Sequence, residues 1–367
     1  MMNRADTGDD MAGGGYANAS PGGDENRYAR QQQFAPIGES GQQQISASAV
    51  AVLGCGALGT VAAEVLARAG VGELRIVDRD VVEWTNLQRQ SLFEEADAEA
   101  AAAKAATAAQ RLSRINRSIR VTPHVADVTA DNIDQLLGGV DLVIDATDNF
   151  PVRLLLNDWC LKTGTPWVHG GCVGAGGQVA FFSGTGPPCF RCLVPEMPPA
   201  GAMATCDTAG VIGAATHVVA SLEAAEAIKW LSGNRDAVRT GVLSLDLWSG
   251  RFTEVGWAAD SGRACAACGQ RRFDFLEGDR RVTADGAATL CGRDAVQLSA
   301  RPGLRIDLRR IADSWDGLGQ VQTTRFFARL FPDDRHSLTL FRDGRAVITG
   351  TQDLGEARSL YDRYVGQ

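Results

Sequence analysis

The chain has 367 residues, a formal net charge of -8, a pI near 5.2 and 45% hydrophobic residues. That length exceeds one small core and sets an expectation of two or more domains, and the acidic balance argues against nucleic acid or an anionic membrane as the main partner. No apolar run reaches membrane-spanning length and no basic-then-apolar leader opens the chain, so a cytoplasmic protein is expected. An odd count of 9 cysteines fits a reducing compartment.

In chain order, residues 1–27 are rich in Gly, Ala, Asp and Asn and are expected to form a disordered tail. Ala49–Leu53 reads as a buried strand, Gly54-Cys55-Gly56-Ala57-Leu58-Gly59 as a tight turn and Thr60–Ala69 as a helix. Leu74–Asp78 and Asp141–Asp145 are further short apolar strands, of the kind found in a sheet covered on both faces. Their alternation with helical stretches at 101–114, 151–162 and 214–232 predicts an α/β doubly wound, mainly parallel Rossmann-like sheet in a domain spanning 28–270. After Cys268 the pattern changes to a smaller α+β domain over 271–367, with a hairpin around Asp343-Gly344 and a closing helix Leu354–Tyr364.

Gly54, Gly56 and Gly59 allow a tight strand-to-helix turn, close approach of backbone to phosphate, and helix N–H groups aimed at an anion. Asp78, at the second strand's end, suits ribose hydroxyls, but the pattern to this point fits NAD as well as ATP. Asn86, Arg89 and Gln90, followed by Lys104, favour ATP, because nicotinamide chemistry needs no such gathering of donors near a polyphosphate. A carboxylate attacking the α-phosphate does need cations to offset the repulsion between two anions. Asp148, just past a strand end, sits where open α/β sheets bind ligands and is a candidate for holding Mg2+. A solvated surface pair is the alternative for Arg89 and Lys104.

Cys189-Phe-Arg-Cys192 and Cys265-Ala-Ala-Cys268 form two CxxC knuckles with 72 residues between them. One tetrahedral four-thiolate zinc cage accounts for both and leaves no open position for water, so the metal would be structural. Two unrelated pairs of buried or redox thiols are the alternative.

Taken together, Arg27-Tyr-Ala-Arg30-Gln31, the glycine turn, Asp78-Arg-Asp80, Asn86-Leu-Gln-Arg89-Gln90, Thr147-Asp148-Asn149 and both knuckles to Gly269 resemble the ThiF/MoeB family of sulfur carrier protein adenylyltransferases, relatives of ubiquitin-activating enzymes. The resemblance implies that Asp78 binds ribose, that Asn86, Arg89 and Lys104 contact phosphates, and that Asp148 holds the magnesium-ATP or the adenylate. It implies a homodimer in which Arg30 reaches the neighbouring subunit's ATP. It also implies adenylation of the C-terminal glycine of a small ubiquitin-like carrier ending in Gly-Gly. The family's usual Gly-x-Pro-Lys turn is replaced here by Ala101-Ala-Ala-Lys104.

Ala204-Thr-Cys206-Asp is closer to the ThiF version of its segment, where the cysteine can become linked to the activated carrier; an inert loop thiol is the alternative. The C-terminal region looks like the appendage of some bacterial ThiF-type proteins. Cys291 reads as structural because no basic, glycine-containing cradle follows it, so a separate sulfur donor protein is expected. The leading expectation is thus service to thiamin thiazole formation; MoeB-type activation of the molybdopterin carrier, a nonenzymatic docking scaffold and a dehydrogenase are the alternatives. The four histidines, His124, His169, His217 and His336, show no spacing to an acid that suggests a general base, and Trp84 is expected to pack against the sheet.

Overall fold

The computed structural model describes residues 27–197, 209–258, 261–278, 287–289, 294–298 and 305–366. Short apolar runs build the first sheet: β1 (Ala49–Leu53), β2 (Glu73–Val77), β3 (Arg120–His124), β4 (Leu142–Asp145), β5 (Trp167–Val173), β6 (Gly176–Phe182), β7 (Gly241–Asp246) and β8 (Arg251–Gly256). They lie in the order β3-β2-β1-β4-β5-β6-β7-β8. Strands β3 to β5 of that order are mutually parallel, and β6, β7 and β8 extend it antiparallel.

Burial explains the composition of the central strands. Val50 to Leu53 and Leu142 to Ile144 are fully buried, because helices cover both faces of the sheet and leave no polar side to alternate toward. Helices Gly59–Ala69 and Gly213–Leu231 contribute Val61, Leu66, Val219 and Ala220 to the core on one face. Helices Ile133–Leu137 and Phe150–Thr163 contribute Leu136, Leu154 and Trp159 on the other. Strand order reverses between β1 and β4, and such a switch point leaves a crevice beyond the carboxyl ends of the strands.

The expected helix at 101–114 begins at Lys104 and ends at Ile115. Ala101 has φ +44, and Ala103 is in a β-bridge with Val81, so tertiary pairing overrides the helix propensity of the alanine run.

A second sheet is entirely antiparallel. It comprises β9 (Ala287–Thr289), β10 (Ala295–Leu298), β11 (Gln320–Thr323), β12 (Phe327–Phe331), β13 (Ser337–Phe341) and β14 (Ala346–Thr349), in the order β11-β12-β13-β14-β10-β9. The expected β13–β14 hairpin turns at Asp343-Gly344, where Gly344 has φ +83. Helices Leu308–Ser314 and Leu354–Tyr364 close its core, in which Trp315 is fully buried and donates to the Tyr364 carbonyl at 2.6 Å. The two sheets meet where Phe327 and Phe341 bury Val81 and Ala101 of the first body. Among the described residues no helix is long and apolar enough to cross a membrane.

Candidate nucleotide site and four-cysteine centre

The turn after β1 is built by what two glycines lack. Gly54 has φ +84, and a Cβ there would lie 2.6 Å from the Ala146 carbonyl oxygen, against the loop that follows β4. A Cβ on Gly59 would lie 1.8 Å from the Gly54 oxygen, so the turn closes only without side chains at both positions. Gly56 is different. The nearest atom to a Cβ there is the Gln90 side-chain nitrogen at 3.6 Å, so packing does not demand a glycine, and its absence of a side chain opens the backbone to the crevice.

Asp78 follows β2 and anchors that turn: its carboxylate accepts from the Cys55 backbone N–H at 2.6 Å and from that of Asp80 at 2.7 Å. Burial raises its pKa above the ordinary carboxylate value, opposed by the nearby Lys104 cation. Lys104 is 3% exposed, with Nζ 3.6 Å from an Asp80 carboxylate oxygen and its backbone N–H donating to the Asp80 carbonyl at 3.0 Å. A solvated surface role is therefore excluded for Lys104. Its long approach through Ala101–Ala103 is pinned by the bridge to Val81.

Arg89 is half-buried, and its guanidinium donates to the Thr85 carbonyl at 2.7 Å. The buried Asn86 side-chain oxygen accepts from the Glu83 N–H at 3.0 Å and caps the single turn Trp84–Asn86, which fixes the loop's shape. Gln90 is buried beside Gly56, and its side-chain oxygen has no hydrogen-bond partner among the described residues. A buried polar atom without a partner costs about 1–3 kcal/mol, so a donor arriving there would be stabilising. Asp148 stands exposed beyond β4, within reach of the Asn149 amide at 3.5 Å and of the charge on Arg79. These groups share the carboxyl ends of β1, β2 and β4.

Arg30 does not join them. It is exposed on helix Ala29–Gln32, which packs on helix Gly38–Ala47, and its guanidinium donates to Gln33 at 3.1 Å. Trp84, expected to pack against the sheet, is instead 55% exposed, because the capped turn lifts it outward. Cys206 and Cys291 lie outside the described residues.

Sequence reasoning missed a buried polar cluster behind this crevice. Asp145, at the end of β4, meets His169 Nδ1 at 2.8 Å and Arg153 Nε at 3.2 Å, and accepts the Thr147 hydroxyl at 2.6 Å. Arg153 also donates to the carbonyls of Thr147 and Gly170. Burial works against ionisation of Asp145, yet Arg153 and His169 hold its carboxyl below the ordinary range, while burial keeps His169 below its own. Glu223 lies fully buried against Gly170 with neither carboxyl oxygen hydrogen-bonded among the described residues, and burial, joined by the Asp145 charge, pushes its pKa well up. The legible signal was weak, a glutamate in a mostly apolar helix that also carries Glu226 and Lys229; the His169 pairing joins residues 24 apart and had none. His336 likewise pairs with an acid, Asp333, at 2.9 Å.

The four knuckle cysteines converge. Their sulfurs all lie within 4.8 Å of one another, with Cys189–Cys192 at 3.9 Å, Cys189–Cys265 at 3.7 Å and Cys192–Cys268 at 3.5 Å. Tetrahedral Zn–S bonds of about 2.3 Å place sulfurs about 3.8 Å apart, so the donor set fits zinc. Hydrogen bonding from Cys189 draws the Cys192 thiol down to about 5 while burial pushes Cys268 up to about 12, a proton-sharing arrangement that a dication replaces. The two knuckles hold together a small core of Leu161, Ala267 and Phe273.

Residues 28–266 match the ThiF family. The chain is 41% identical over 341 residues to the sulfur carrier protein ThiS adenylyltransferase of Bacillus subtilis, covering 93% of this chain and 99% of that one. It is 38% identical over 251 residues to the SAMP-activating enzyme E1 of Haloferax volcanii, covering 68% and 91%. Among solved structures, Escherichia coli MccB with succinimide aligns at a TM-score of 0.57 and 21% identity over 66% of this chain and 74% of that one, a likeness of fold alone. A doubly wound sheet with a glycine turn and a four-cysteine centre defines the class, and this chain belongs to the ThiF family. It is an adenylyltransferase.

Proposed function

We propose that the chain adenylates the C-terminal glycine carboxylate of a small ubiquitin-like sulfur carrier, releasing pyrophosphate. The observation that carries the reading is the placement of Asp78 and Gln90 at the open glycine turn with Lys104 buried beside Asp80, in a chain 41% identical to a ThiS adenylyltransferase over 99% of that relative.

In this reading the turn at Gly54, Gly56 and Gly59 receives the phosphates, and Asp78 accepts from ribose hydroxyls at the end of β2. Arg89, Lys104 and the Asn86–Gln90 loop offset the charge of the triphosphate and of the departing pyrophosphate. Arg89 reaches the phosphates by exchanging its Thr85 carbonyl for them. Asp148 offers an exposed carboxylate that suits Mg2+, which would supply charge neutralisation on the triphosphate, while the Asn149 side-chain oxygen caps the following helix by accepting the Val152 N–H at 3.0 Å. Carboxylate attack needs no general base, in keeping with a His169 occupied by Asp145. Zinc on Cys189, Cys192, Cys265 and Cys268 would clamp two distant segments and take no part in chemistry.

Arg30 is exposed and bonded to Gln33 and not to the residues of its own chain's crevice, which supports a homodimer in which it serves the neighbouring site. Cys206 is the candidate thiol for attack on the acyl adenylate, with a separate protein delivering sulfur. The near full-length match to a ThiS adenylyltransferase favours a ThiS-like carrier of thiamin thiazole formation. The MoeB side of the family resemblance keeps the molybdopterin carrier as the second reading. Exchange of labelled pyrophosphate into ATP, with a ThiS-like carrier and a molybdopterin carrier offered side by side, tests both. The expected result is exchange that requires a Gly-Gly-ended carrier and is faster with the first; no exchange with either overturns the proposal.

A further inference from the structure

We propose that Arg345, on the C-terminal sheet, is a positioning residue for nucleotide binding: from inside the interface it holds the loop after β2 that carries Asp80 and, through Asp80, Lys104. The inference rests on the adenylation reading. Arg345 is 2% exposed, and its Nη2 donates to the Arg79 carbonyl at 2.9 Å across 266 residues of sequence. Its Nε and Nη1 have no hydrogen-bond partner among the described residues, Nε lies 3.9 Å from an Asp343 oxygen, and the guanidinium sits 3.6 Å from the Phe341 ring centroid.

A buried guanidinium with unfilled donors is a costly way to seal an interface, since apolar residues of similar size often do so at least as well. Here the interface already has them: Phe327 and Phe341 pack on Val81 and Ala101. What Arg345 adds is charge in a particular place. Asp343, Asp127 and Asp80 face it attractively and Arg79 repulsively. Asp127 is also held from both bodies, by Arg79 Nη1 and by Gln297 of β10, each at 3.0 Å. The Arg79 carbonyl lies between the two aspartates that matter: Asp78, which anchors the glycine turn, and Asp80, which accepts the Lys104 N–H at 3.0 Å and lies 3.6 Å from its ammonium. Without the guanidinium, Asp80 and Asp127 would keep only Lys104 and Arg79 to offset their charge beside the place where a triphosphate must settle. The C-terminal sheet thus tunes the pocket it does not line.

Arg345→Met keeps the volume and the packing on Phe341 while removing the charge and the bond to Arg79. In the full chain, ATP binding by calorimetry and the KM for ATP in pyrophosphate exchange are measured for the unaltered enzyme, Arg345→Met and Arg345→Lys. The expected result is ATP affinity about tenfold or more weaker in Arg345→Met, an unchanged KM for the carrier, a melting temperature near that of the parent, and partial recovery in Arg345→Lys, as for removal of a charge-assisted hydrogen bond. Unaltered ATP affinity in Arg345→Met, with the parent active, overturns the inference alone. Equal loss of ATP and carrier affinity with a collapsed melting temperature reduces Arg345 to structural packing and also overturns it. Failure of the parent to bind ATP sinks the adenylation reading, and the inference with it.

Discussion

Asp148 and Gly59 separate two kinds of importance at one end of the sheet. Asp148 is exposed and bonds only weakly to Asn149, so the fold does not depend on it. Asp148→Asn is expected to leave the melting temperature within a degree or two and to slow pyrophosphate exchange by about 10²–10³, the usual effect of removing one electrostatic partner of a transition state. Gly59 is the reverse case. A Cβ on Gly59 would lie 1.8 Å from the Gly54 oxygen, so Gly59→Ala forces backbone apart. A loss of about 3 kcal/mol or more is expected in denaturant melts, together with loss of ATP binding. Both glycines were legible in the text as a turn, whereas the burial of Lys104 was not, since its neighbours Asp78 and Asp80 are 26 and 24 residues away.

At the scale of elements, helix Phe150–Thr163 couples the sheet to the cysteine centre through Asp158. Its carboxylate is fully buried, accepts the Phe275 N–H at 2.9 Å and lies 3.9 Å from Arg191, which flanks Cys192. Burial pushes its pKa up to about 6. The folded value lies above the unfolded one, so the folded state binds more protons between pH 4 and 6, and stability falls as pH rises through that window, by about 3 kcal/mol at most. Asp158→Asn keeps an acceptor for Phe275 and should flatten that slope relative to the parent in denaturant titrations across the same range. The zinc cage makes a second prediction for this element pair. Chelation, or serine at Cys189 and Cys265, should lower stability by several kcal/mol and release about one zinc per chain by elemental analysis, because the knuckles enclose only a small apolar core. Full stability after metal removal would reduce the cysteines to buried thiols.

At the scale of the whole molecule, the position of Arg30 makes dimerisation testable through activity. Arg30→Ala and Asp148→Asn variants, each impaired alone, should complement on mixing if Arg30 serves the partner's crevice, because one site of each hybrid dimer then has both residues. Random reassortment predicts recovery of about a quarter of parental exchange. No recovery in verified hybrids would place Arg30 in its own chain's site. The C-terminal sheet belongs to this scale as well. Its hairpin and closing helix could be read from Asp343-Gly344 and the caps, yet nothing local indicated that Arg345 would reach the carbonyl of Arg79.

The sequence by itself determined the doubly wound sheet, the glycine turn, each CxxC knuckle and the smaller C-terminal unit. Each rests on periodicity, on residue types that only certain backbone shapes tolerate, or on spacings shorter than one element, and such information is local. Only the tertiary structure decided that Lys104 is buried beside Asp78 and Asp80, that His169, Arg153 and Asp145 pair while Glu223 is buried without a hydrogen bond among the described residues, and that the C-terminal sheet presses on the nucleotide loop. Those facts depend on which charges share low-dielectric space, and that is settled by packing between segments far apart in the chain.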